Sequence, residues 1–306
     1  MTQPSPPADS AASERGALLS PELLLKLESL ELVSRKVFRG RLKGERRSKR
    51  KGQSVEFADF RSYVPGDDLR FIDWNTYARL DKLFLKMFLE EEDLHFYALL
   101  DASPSMSFGE PTKLRYAQQL AAALSFIGLV RGDRIVIETL GQPLRRISPS
   151  LRGRKSLWRM LETLESVEPE PHSSLAAGVK NFCARNSGRG ILILLTDLMD
   201  KAGYETALRY LIARQMDVYV VQILSAEELH PDVTGDLRLV DCEDGDAAEV
   251  TITPPLLKRY EQTLAQFVAG AKNFCNRRGM NYLLAKNDTP IDRFITTYLQ
   301  QRGLVR

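Results

Sequence analysis

The chain has 306 residues, 43% of them hydrophobic and 27% charged, enough to build a sizeable core and outside the range of a disordered polymer. Its formal charge, 43 − 40 = +3, is too small to demand a nucleic-acid or membrane partner by itself. Three distant cysteines, Cys183, Cys242 and Cys275, form no C-x-x-C pair, so neither a zinc site nor a disulfide framework is suggested, and reduced thiols in a cytoplasmic protein are expected.

Residues 1–17 are rich in Pro, Ser and Ala and read as a disordered tail. They lack the basic and apolar regions of a signal peptide, and no later run of about 18 apolar residues predicts a membrane span. Ser20-Pro21 before a Leu-rich run predicts a helix over 21–32. Residues 34–53 then hold ten Lys or Arg against one acid, Glu45, and form a basic arm rather than core. Residues 54–93 mix aromatic and charged residues around Pro65-Gly66-Asp67-Asp68, a turn signal. With extended flanks at 57–63 and 84–89, residues 18–93 read as a helix, an arm and a small β-containing subdomain.

From residue 94 the pattern is α/β. Strands are expected at 95–101, 134–139, 144–147, 190–196, 218–224 and 281–285. Helices are expected at 113–130, 153–166, 175–185, 204–214, 255–278 and 290–302. The turn 140–143 makes the second and third strands antiparallel, and 236–253 reads as an inserted hairpin. The expected fold is therefore a mostly parallel sheet with one antiparallel edge strand and helices on both faces, filling 94–306.

The apolar run Phe96–Leu100 ends in Asp101-Ala102-Ser103-Pro104-Ser105. Strand ends of open α/β sheets carry their sites, and Asp101, Ser103 and Ser105 place a carboxylate and two hydroxyls on one loop. They could cap a helix, present a nucleophile or ligate a hard cation such as Mg²⁺. A second apolar strand ends in Thr196-Asp197, and His172-Ser173-Ser174 precedes the helix near Leu175.

This constellation resembles the metal-ion-dependent adhesion site (MIDAS) of von Willebrand factor type A domains. Matched by position, Asp101, Ser103 and Ser105 correspond to its D-x-S-x-S loop, Asp197 to its third-loop Asp, and Ser173 stands where the second loop carries Thr. Upstream, Arg61, Tyr63, Pro65, Gly66, Asp67, Asp68, Arg70, Asp73 and Trp74 resemble the R-x-Y-x-P-G-D-D-x-R-x-I-D-W signature of the DUF58 family, bacterial proteins in which that segment precedes a von Willebrand A-like domain. The resemblance covers residues 35–300. It implies a Mg²⁺ or Mn²⁺ ion and a non-catalytic module that binds an acidic group of a protein partner. It also implies work with a MoxR-type AAA+ ATPase in chaperone-like assembly or maturation, in a form without membrane helices. Met106, His172, Ser174 and Leu198 are the expected partner contacts, with Ser174 an alternative second-loop ligand. The signature residues themselves read as an internal ion-pair and packing network.

Two other functions compete with this one. Asp101 could serve a phosphohydrolase, although the position two residues on, where such enzymes place an acid, is Ser103. The basic arm, residues 35–51, could bind nucleic acid, although it shows no regular aromatic interleaving and no surrounding motif.

Overall fold

The computed structural model describes residues 18–34, 55–90, 94–140, 145–146, 149–170, 174–186 and 188–306. The N-terminal tail, the basic arm, His172 and Ser173 lie outside them. The chain divides into two compact units, residues 35–93 and residues 1–34 with 94–306. Helix α1 (Pro21–Glu28) opens the larger unit, with Ser20 as its N-cap and Pro21 in its first turn. It stops four residues short of the expected end, because the following segment pairs with the other end of the chain: Leu32 bridges Val305, and Val33 N–H donates to the Leu304 carbonyl at 2.8 Å.

The smaller unit is an antiparallel pair, β1 (Val55–Ser62) and β2 (Phe84–Glu90), with a bulge between Phe57 and Asp59. Between them the chain turns at Gly66, whose φ of +105° suits a residue without Cβ, and forms helix α2 (Trp74–Leu80). Asp73 caps α2, accepting from Asn75 N–H at 3.1 Å and the Thr76 hydroxyl at 2.9 Å. The charged residues of the signature bond within this unit: Arg61 to Asp67 at 2.7 Å, and Arg70 to both carboxylate oxygens of Asp68. Trp74 departs from the packing expected of it. It is 60% exposed at the first turn of α2 and meets Tyr77 edge-on.

The larger unit is built on a six-stranded sheet. Its strands are β3 (His95–Asp101), β4 (Arg134–Leu140), β5 (Arg145–Arg146), β6 (Gly190–Thr196), β7 (Met216–Leu224) and β10 (Asn281–Lys286), in the order β10-β7-β6-β3-β4-β5. Five are parallel and β5 pairs antiparallel with β4 at the edge. Alternation along β3 splits the core. Phe96, Ala98 and Leu100 face a cluster with α1 and the long helix α3 (Lys113–Arg131). Tyr97 and Leu99 face the cluster containing α5 (Leu175–Arg185), α6 (Glu205–Ile212) and part of α8 (Pro254–Arg277). Helix α4 (Leu157–Glu165) packs on the first of these faces, and α7 (Ala226–Leu229) is a single turn after β7. The terminal helix expected over 290–302 is present, as an α-helical turn at Ile291–Arg293 that runs into a π-helical segment, Phe294–Leu299.

Strands β8 (Gly235–Val240) and β9 (Ala247–Ile252) form a largely exposed hairpin. Among the described residues no helix is long and apolar enough to cross a membrane. Thr112 starts α3, its hydroxyl accepting from Arg115 N–H at 3.1 Å. Thr112→Ala is expected to cost about 1 kcal/mol, seen as a lower denaturant midpoint at unchanged m-value.

Candidate functional site

The strand order reverses between β3 and β6. From β3 the chain crosses to β4 on one side; from β6 it crosses to β7 on the other. Such a switch point opens a crevice at the carboxyl ends of the two central strands. Register pairs Leu100 with Leu195, so Asp101 and Thr196 come next at the same edge.

Asp101 is fixed at both oxygens. Ser103 N–H donates to Oδ1 at 2.9 Å, and the Thr196 hydroxyl donates to Oδ2 at 2.6 Å. Thr196 Oγ1 in turn accepts from Leu198 N–H at 3.0 Å, in a turn where Leu198 takes φ +62°. The Ser103 and Ser105 hydroxyls lie 2.9 Å apart. Asp197 accepts from Met199 N–H at 3.0 Å through Oδ1 and from Lys113 Nζ at 2.8 Å through Oδ2. Its carbonyl accepts from Gln222, whose own oxygen accepts from the Tyr282 hydroxyl.

Lys113 is fully buried and also donates to Glu228 at 2.5 Å. Burial by itself would lower its pKa. The carboxylates of Asp197 and Glu228 outweigh that and hold it above its ordinary value, so the ammonium stays charged. Glu228 is held in a capping box with Ser225 at the start of α7. On the far side of the crevice, Asp200 accepts from Leu175 N–H at 2.9 Å, tying the loop after β6 to the start of α5. Lys201 pairs with Asp241 at 3.1 Å and with Asp244, tying the same loop to the β8–β9 turn.

Burial first, and the charge of Asp197 second, push the Asp101 carboxyl up to about 6. Two buried carboxylates close enough to repel, with two hydroxyls beside one of them, form an oxygen-donor set suited to a hard divalent cation. Among the described residues no group of three or more His, Cys, Asp or Glu side chains is assembled to hold an ion, so this set depends on carboxylates together with hydroxyls.

Asp101, Ser103, Ser105 and Asp197 thus come to one strand edge, while Ser173 and His172 lie outside the described residues. Ser174 caps α5, its hydroxyl accepting from Ala177 N–H at 3.4 Å. Two of the expected partner contacts need correcting. Met106 and Leu198 are buried, at 0% and 1% exposure, and anchor their loops to the cores on opposite faces of the sheet. Phe108, 52% exposed, is the apolar side chain that the first loop offers to solvent.

Thr196, Lys113 and Glu228 are the members that the sequence reading missed. Lys113 leaves a trace in sequence, since it lies four and eight residues before Ala117 and Ala121, on the apolar stripe of its helix.

A family model described as "Protein of unknown function DUF58" matches residues 59–268. The chain belongs to this family. The uncharacterized protein Rv1480 of Mycobacterium tuberculosis is 28% identical over 300 residues, covering 94% of this chain and 93% of the relative. Among solved structures, the conserved hypothetical protein BatB of Bacteroides thetaiotaomicron aligns over 68% of this chain and 98% of its own at 15% identity and a TM-score of 0.42. A von Willebrand factor type A protein from Catenulispora acidiphila aligns over 47% of this chain and 36% of its own, at 15% identity and a TM-score of 0.34. The DUF58 match takes in both the signature segment and the Asp101–Asp197 edge.

Proposed function

We propose that this DUF58 protein is a non-catalytic interaction module that captures an acidic group of a partner protein through a Mg²⁺- or Mn²⁺-type site. Asp101, Ser103, Ser105 and Asp197 would hold the ion, with Ser173 as the second-loop ligand. The observation that carries this reading is the meeting of the Asp101 carboxylate, its two neighbouring hydroxyls and the Asp197 carboxylate at the switch point. Bound there, a divalent cation would supply a Lewis-acidic position for a carboxylate oxygen. The chain's own contribution is orientation: Thr196 and the Ser103 amide fix Asp101, and Met199 N–H and Lys113 fix Asp197. The family resemblance supports a MoxR-type AAA+ ATPase as the partner.

Asp101→Ala is expected to remove Mn²⁺ binding in calorimetry while the chain stays folded by circular dichroism. Unchanged affinity would sink the site. Capture of a MoxR-type ATPase by the native chain is expected to disappear in EDTA and return with Mg²⁺; capture that ignores EDTA would mean that the ion is not the contact. The phosphohydrolase alternative has less support. Asp101 already has an oxygen held by Thr196 and the other by Ser103 N–H, and position 103 offers a hydroxyl in place of a general acid. Turnover of generic phosphoesters, lost in Asp101→Ala, would restore it.

A further inference from the structure

We infer that Lys113 is a resident positive charge that sets how tightly the Asp101–Asp197 site holds a divalent cation, with Glu228 setting how much of that charge the site feels. This rests on the metal-site reading above and extends it to two residues outside the ligand set. Lys113 is the first residue of α3, and its side chain is fully buried. Its ammonium lies 2.8 Å from Asp197 Oδ2 and 2.5 Å from Glu228 Oε1, so one cation is shared between a proposed ligand and an acid outside the ligand set. Glu228 is not free to leave. Its Oε2 accepts from Ser225 N–H at 2.8 Å, its own N–H donates to Ser225 Oγ, and its carbonyl accepts from the Tyr260 hydroxyl at 2.8 Å.

A divalent ion entering beside Asp197 therefore meets a carboxylate already partly neutralised, and it meets a fixed like charge one side chain away. In a buried site that repulsion is weakly screened. Lys113 is a positioning residue as well, since it holds Asp197 Oδ2 from the side of α3. The two roles separate in experiment. Removing the lysine takes away a positive charge and should tighten cation binding. Neutralising Glu228 takes away a negative charge, leaves Lys113 to Asp197 alone, and should weaken it. Both changes break the same ion pair, so a purely structural role predicts the same sign for both.

The test is Mn²⁺ calorimetry on the full chain for native protein, Lys113→Met, Lys113→Arg and Glu228→Gln, with thermal unfolding followed with and without Mn²⁺. Lys113→Met is expected to bind Mn²⁺ at least tenfold more tightly than native and to show a larger rise in Tm on adding the ion. Lys113→Arg should stay within about threefold of native, and Glu228→Gln should bind several-fold more weakly. If Lys113→Met does not fold without metal, the sign of the Glu228→Gln change carries the test, and tightening there overturns the inference. Native Mn²⁺ binding with Lys113→Met unchanged or weaker overturns the role of Lys113 and leaves the metal site standing. No Mn²⁺ binding by the native chain overturns both.

Discussion

Metal-free protein carrying Asp101→Asn is expected to be more stable than native at pH 7.5, and the order is expected to reverse when Mn²⁺ is added. The Asp101 carboxyl is raised from an ordinary 3.8 to about 6 by burial and by Asp197. A group raised on folding stabilises the fold in full below its unfolded value, here 3.8, and that contribution is lost as pH rises through about 6. The full difference corresponds to ~3 kcal/mol, and roughly half of it is present at pH 5. At pH 7.5 the native carboxylate is ionised against Asp197, a penalty that the amide does not suffer. Carboxylates held low, such as Asp67 with Val64 N–H and Arg61, and Asp244 with Lys201, act in the opposite direction as pH falls. The comparison with Asp101→Asn isolates the one group from them. Denaturant unfolding at pH 5 and 7.5, with and without Mn²⁺, makes the measurement. Equal pH slopes for the two proteins would show that Asp101 carries no buried charge, and equal Mn²⁺ stabilisation would show that the ion binds elsewhere.

The architecture was legible because its signals are local. Each central strand is an apolar run, the long helix shows its stripe at helical spacing, and the turn after β4 announces an antiparallel edge. Asp101 and Asp197 were legible for the same reason, as polar residues that end apolar runs. Strand order was not, because nothing in a strand states its neighbour; that β3 and β6 lie side by side comes from the packing of whole βα units. Lys113 shows the limit most clearly. A lysine at a helix start reads as solvated, and only the meeting of α3, β6 and α7 reveals two carboxylates waiting for it. Met106 and Leu198 were misjudged because loop residues beside a site were taken as surface, whereas their apolar side chains do better as anchors in the cores beneath.

Thr196→Val is expected to lower stability by ~3 kcal/mol and to weaken Mn²⁺ binding at least tenfold, while Thr196→Ser retains most of both. Valine keeps the shape and the branched Cβ but removes a hydroxyl that serves two buried partners. The hydroxyl donates to Asp101 Oδ2 at 2.6 Å and accepts from Leu198 N–H at 3.0 Å. Its loss leaves a buried amide without an acceptor, at about 1–3 kcal/mol, and withdraws a charge-assisted bond worth a similar amount. The turn holding Leu198 in the left-handed region then loses the contact that closes it, and Asp197 sits inside that turn. Both carboxylates of the proposed site thereby lose their alignment from one substitution outside the proposed ligand set. Serine restores donor and acceptor but not the methyl that stiffens the rotamer, so a small deficit is expected in its place. The two variants distinguish alignment from bulk: if Thr196→Ser falls as far as Thr196→Val, packing of the methyl matters and the hydroxyl does not. If Thr196→Val loses stability but binds Mn²⁺ as the native chain does, Asp101 does not depend on Thr196 to face the ion.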